Sequence, residues 1–220
     1  MKQALMPGAQ GVVRSCVPLF AVLLASRLAH AEPPGATEAR SVPAFQGIDL
    51  AGVIDVRVTI GSPANVEISG EPALLSKVIT TVKNGVLVIQ TKPKLPNNSH
   101  LRATVTAPDL TSLALSGVGE LKVSGIANDS LAVELSGVGT LRVSGSTGSL
   151  HVRASGTGDV SAKDLAAKSS TVVTSGVGDT RVQATEALDA TLNGVGEINV
   201  YGHPQQIKKT RTGIGDIHIH

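Results

Sequence analysis

A five-residue motif recurs six times in the second half of this 220-residue chain, and its spacing limits the fold more than any other feature. The copies read Ser116-Gly117-Val118-Gly119-Glu120, Ser136-Gly137-Val138-Gly139-Thr140, Ser155-Gly156-Thr157-Gly158-Asp159, Ser175-Gly176-Val177-Gly178-Asp179, Asn193-Gly194-Val195-Gly196-Glu197 and Thr212-Gly213-Ile214-Gly215-Asp216. Their first glycines lie 20, 19, 20, 18 and 19 residues apart. A period near twenty means one supersecondary unit, repeated and stacked. A degenerate earlier copy, Ala51-Gly52-Val53-Ile54-Asp55, keeps one glycine and the acid.

Each motif is followed by an alternating segment, such as Leu121-Lys122-Val123, Leu141-Arg142-Val143, Thr180-Arg181-Val182 or Ile198-Asn199-Val200. Most are preceded by another, with Leu131, Val133 and Leu135, or Leu188, Ala190 and Leu192, on one side. Alternation of period two predicts strands, so each repeat reads strand, glycine corner, strand. All twelve motif glycines are assigned as corner residues, suited to positive φ or close backbone approach. Two architectures fit: a parallel β-solenoid with coils of about 19 residues, and an antiparallel meander. Like residues at like places in successive repeats favour the solenoid, where they stack in register about 4.8 Å apart. In the last copy the inward positions fall on Lys209 and Arg211, as expected where a stack must end without recruiting another chain.

The first half reads differently. Strands are expected over 53–60 and 65–69, a helical turn over 72–77, and a hairpin with its corner at Lys83-Asn84-Gly85 between 78–82 and 86–90. Residues 94–100 read as a surface loop.

At the amino end, Lys2 and Arg14 precede the apolar run Cys16 to Ala25, and Ala29-His30-Ala31 offers a cleavage site. Residues 1–31 therefore read as a signal peptide, too short in its apolar part to span a membrane, and 32–44 as a flexible leader. Removing Lys2, Arg14 and Arg27 turns 19 basic against 17 acidic residues into 16 against 17. The near-neutral remainder argues against a nucleic-acid footprint. Cys16, the only cysteine, departs with the signal, which excludes disulfides, thiolate metal sites and a cysteine nucleophile. Phe45 and Tyr201 are then the only aromatics, so base-stacking and aromatic sugar-binding platforms are nearly excluded.

Within the repeats, the four motif serines read as a hydroxyl ladder serving corner backbone groups rather than as nucleophiles, since no base and orienting group accompany them. The glycines lack the Lys of a phosphate loop and the dinucleotide-binding spacing. The acids Glu120, Asp159, Asp179, Glu197 and Asp216 would form a column of like charge. Lys122, Arg142, Arg181 and His218, two residues on, can neutralise it. Calcium-binding nonapeptide repeats differ in both period and acid position. His218 and His220 with Asp216 make too weak a set for a metal site. No catalytic, cofactor or metal residue is assigned.

Phe45 with Ile48 and Leu50, Asn84-Gly85-Val86-Leu87-Val88-Ile89, the serial Ser-Gly-x-Gly-acid corners and Val200-Tyr201-Gly202-His203-Pro204 together resemble the bacterial head GIN domain family ("putative autotransporter adhesin head", a domain of unknown function) over residues 45–205. The resemblance implies a secreted or envelope-located β-solenoid-like domain and brings no catalytic residue. Residues 206–220 read as a terminal coil or cap. The sixteen residues after Pro204 are too few for a membrane barrel, so periplasmic residence, or surface exposure through another export system, is expected. The leading expectation is a non-enzymatic, exported binding or adhesion domain. Its partner is an envelope protein or glycan, and the sequence leaves its oligomeric state open. A polysaccharide-acting hydrolase or lyase, and a cation-stabilised structural module, are the alternatives.

Overall fold

The computed structural model describes residues 35–96 and 99–220. The signal assigned to 1–31 and two residues of the 94–100 loop lie outside the described residues. The chain is a parallel β-solenoid of about five turns, with coils of about 20 residues.

The strands are β1 (Ala36–Ala39), β2 (Gly47–Leu50), β3 (Asp55–Ile60), β4 (Asn65–Gly70), β5 (Val78–Lys83), β6 (Val86–Thr91), β7 (Arg102–Ala107) and β8 (Ser112–Leu115). They continue as β9 (Val118–Leu135), β10 (Val138–Ala154), β11 (Thr157–Thr174), β12 (Thr180–Gln183), β13 (Ala187–Leu192), β14 (Ile198–Tyr201), β15 (Gln206–Arg211) and β16 (Ile217–Ile219), with one short helix, α1 (Pro72–Leu75). They stack into two faces. The first runs β1-β4-β7-β3-β9-β10-β11-β12-β14-β16. The second runs β5-β6-β2-β8 and then the latter halves of β9, β10 and β11, followed by β13 and β15. In three coils the two strands expected per repeat are one uninterrupted strand crossing both faces.

Pairing within the stack is parallel and in register: Gly139 lies over Gly119 and under Gly158, and Leu141 over Leu121 and under Val160. The exceptions sit at the amino end, where β1 on β4, β4 on β7 and β5 on β6 are antiparallel. The Asn84-Gly85 hairpin corner has φ of 49° and 76°, as a two-residue primed turn requires. Residues 36–39 correct one expectation: rather than a flexible leader they form an edge strand. Arg40 holds its end, donating from its backbone N–H to Val66 O at 2.8 Å and from Nη2 to Leu75 O at 3.0 Å.

Between the faces lies a column core. Leu121, Leu141, Val160 and Ile198 fill one column, and Val133, Val152, Val172 and Ala190 another, all 3% exposed or less. Burial of such side chains stabilises by roughly 1.5–3 kcal/mol each. The column pattern breaks at Ser170, which lies between Leu150 and Leu188 and whose hydroxyl donates to Gln183 O at 2.9 Å, and again at Thr174 and Thr180. They are buried, and their hydroxyls face each other at 3.0 Å, so that one donates to the other. Among the described residues, no helix is long and apolar enough to cross a membrane.

Candidate binding surface

The corner motif divides its labour. Gly178 has φ of +135°, a conformation that side chains with a Cβ rarely adopt. Gly176 does not have positive φ, but a Cβ there would overlap the carbonyl oxygen of Gly156 in the coil below. The other five motifs repeat this pattern. Both glycines of the motif thus approach the backbone of the coil below too closely for a Cβ, and the second also takes positive φ.

The serines do not form the expected ladder to the backbone. The N–H groups of Ser136 and Gly137 both donate to Leu115 O, and those of Ser175 and Gly176 both to Ala154 O. Backbone satisfies backbone at these corners. Ser116 Oγ bonds Asp49 Oδ1 at 2.6 Å. The hydroxyls of Ser136, Ser155 and Ser175 are exposed and make no side-chain hydrogen bond among the described residues.

The acids have a structural task that alternation did not disclose. Asp55 Oδ1 accepts the backbone N–H of Glu120 at 3.0 Å, Asp159 Oδ1 that of Asp179 at 2.9 Å, and Asp179 Oδ1 that of Glu197 at 3.1 Å. Each carboxylate thus caps the donor one coil above, beside the positive-φ glycine where the ladder is interrupted. Arginines supply counter-charge, Arg142 to Glu120 and Arg181 to Asp179. Among the described residues, no three His, Cys, Asp or Glu side chains converge on a point where they could hold a metal ion. His220 stacks on Tyr201 with ring centroids 5.1 Å apart, and its Nε2 lies 3.0 Å from Asn199 Oδ1, while His218 stays exposed at 6.4 Å from the His220 ring.

On the second face the stacking assembles a cluster that no single repeat contains. Register places Gly47, Ser112, Ala132, His151 and Thr171 in one outward column, and Asp49, Ala114, Glu134, Arg153 and Val173 in the next. Ala114 and Ala132 are short where their neighbours are long, so the sheet dips there into an open depression of about 430 Å³. Asp49, Glu134, His151 and Arg153 are its ionisable lining. Asp49 and Glu134 stand two strands apart across Ala114, about 9.6 Å between backbones. These residues were missed because they lie outside the repeated motif. Writing the repeats one above another in register would have brought the alanine gap and its charged rim into view.

Fold and surface together define a class: a parallel β-solenoid with paired-glycine corners, presenting a long, open side-chain surface. Within that class the chain belongs to the family described as "Putative auto-transporter adhesin, head GIN domain", whose model matches residues 44–204. Among solved structures, one described as a putative adhesin from Bacteroides fragilis is similar with a TM-score of 0.72 at 23% identity, covering 86% of this chain and 98% of that one. A "putative lipid binding protein" from Parabacteroides distasonis (TM-score 0.49, 20% identity, 85% and 97% covered) and a "putative adhesin" from Parabacteroides merdae (0.44, 17%, 84% and 96%) are more distant. No curated protein matches the chain.

Proposed function

We propose that this chain is an exported, non-enzymatic domain of the bacterial cell envelope that binds a polar partner through its second face. The observation that carries this reading is the depression around Ala114 and Ala132, where Asp49, Glu134, His151 and Arg153 interrupt an otherwise repetitive surface. Its mixed charge and lack of aromatic rings suit a polar protein loop better than a stacked sugar. The family description, an adhesin head, is in keeping with binding, and the signal reading of residues 1–31 with export.

Asp49 and Glu134 are also two carboxylates on one face, the residue types that glycoside cleavage uses. Glu134 is exposed, however, and Asp49 is half-buried and already accepts a hydrogen bond from Ser116 Oγ, so neither lies in an enclosed apolar pocket.

The test is binding of labelled protein to envelope fractions of the source bacterium, with Glu134→Lys and Arg153→Glu compared singly and together. Each single reversal is expected to weaken binding at least about tenfold, or about 1.4 kcal/mol, and protease treatment of the fraction to abolish it. Unchanged binding by the double variant removes this face from the function. Loss only after oxidation of the glycans reassigns the partner to sugar, and turnover of an envelope polysaccharide by the wild type makes the chain an enzyme.

A further inference from the structure

The corners carry an apolar feature that neither the core nor the depression uses. Val118, Val138, Val177, Val195 and Ile214, each the middle residue of a corner motif, and Val53 of the degenerate copy are 44% to 73% exposed. Bridges join them into one continuous column, with Thr157 in register between Val138 and Val177. Seven side chains at about 4.8 Å spacing make a rib about 29 Å long. Six aliphatic side chains, interrupted only by Thr157, thus share one exposed line, the kind of apolar patch that marks an interaction surface. On one flank runs the row Ser116, Ser136, Ser155, Ser175, Asn193 and Thr212. On the other runs the acid row that begins with Glu120 and ends with Asp216.

We infer that the rib is a self-association surface, and that its occupant is the rib of a second copy of this chain. A partner using the whole rib must offer matching side chains at the same pitch over six intervals, and an identical stack does so by construction. Two copies can meet rib to rib through a two-fold axis lying either along the rib or across it. An axis across the rib sets the ribs antiparallel and brings acid row against acid row. An axis along the rib sets them parallel and brings the acid row of each copy against the serine row of the other. Ser155 then donates to Asp159, and Ser175 to Asp179, at equal height in the opposite copy. Pairing acids with hydroxyls rather than with acids therefore selects the parallel dimer, and the hydroxyls of Ser155 and Ser175, unengaged among the described residues, gain acceptors. A strip of this length and one corner wide falls below the standard size of specific interfaces, so the dimer is weak and concentration-dependent.

The test uses the full chain with Cys16→Ser, in which an introduced cysteine is the only one. Val118→Cys and Val195→Cys are each treated with a short bismaleimide, with Thr185→Cys as the off-rib control. In the parallel dimer each position faces its own mate, so Val118→Cys alone and Val195→Cys alone both give homodimers, at least about tenfold above the control. Cross-linking only in a mixture of the two variants means antiparallel ribs and overturns the charge argument. Cross-linking no better than the control overturns the interface. A second measurement, sedimentation of wild type against Val138→Lys with Val177→Lys, is expected to show a monomer–dimer equilibrium lost in the variant, with circular dichroism and Tm unchanged. A wild type that stays monomeric across the concentration range sinks the proposal.

Discussion

At the scale of the residue, the carboxylate after the second glycine is the most informative group in the repeat. Asp159 accepts the N–H of Asp179, so its role is that of an acceptor fixed below an interrupted ladder. Asn offers the same acceptor without the charge, and Ala offers none. Asp159→Ala is therefore expected to destabilise by about 1–2 kcal/mol, because it leaves a partly buried donor unpaired, while Asp159→Asn stays close to wild type in urea denaturation. If both variants lose stability alike, and chelator lowers the Tm of the wild type, the column is a cation site instead. Sequence alone showed a base two residues after the motif acid at Glu120, Asp179 and Asp216. It did not show that the acid faces upward to a backbone donor, because that contact joins positions 18 to 20 residues apart and depends on the register of the stack.

At the scale of the element, the corner is the unit that makes the coil close. Gly176 is required by the approach of Gly156 O, and Gly178 by its positive φ. Val at either place is expected to cost at least about 2 kcal/mol, through a backbone clash at Gly176 and through a clash together with strain at Gly178. Thr185→Val, on an exposed turn, should cost about 0.5 kcal/mol or less. Thermal unfolding of the three variants checks this, and equal losses would remove the corner from its place as the closing device. Corners and strands were legible because each has a local signature, glycine pairs and period two. The amino-terminal edge strand was not. Ala36–Ala39 carries no apolar alternation, and its pairing with β4 is decided by that strand's open edge and by the anchor of Arg40 on Leu75 O. The joining of two expected strands into one, as in β9, was hidden for a similar reason: the polar middle of the coil reads as a break but pairs with the coil above.

At the scale of the whole molecule, the stack is quasi-one-dimensional, and each coil depends chiefly on its neighbours. Its two ends differ. The amino end is closed by antiparallel strands and by α1. At the other end every residue of β15 is exposed, with Lys209 over Ala190 and Arg211 over Leu192. Those two charges stand in register with inward positions of the neighbouring coil, yet are themselves exposed. Stability should therefore fall towards the carboxyl end. Amide hydrogen exchange is expected to be fastest in β15 and β16, and slowest in β9 and β10, with a protection difference of several kcal/mol. Uniform exchange along the stack would mean that the coils unfold as one cooperative block.

The alanine floor of the depression carries a consequence of its own. Core and relief are written on alternate residues of the same strand, so Ala114 and Ala132 can change without disturbing Leu113, Val133 or their columns. The outer sheet behaves as a grid, in which the coil sets one coordinate and the place along the strand the other. Duplicating a whole coil between β8 and β9 would part Asp49 from Glu134 by one further strand spacing, about 4.8 Å, and leave every corner and column intact. Such a scaffold can acquire new recognition patterns by exchanging outward letters or adding rows, while the instructions for folding stay unaltered beneath them.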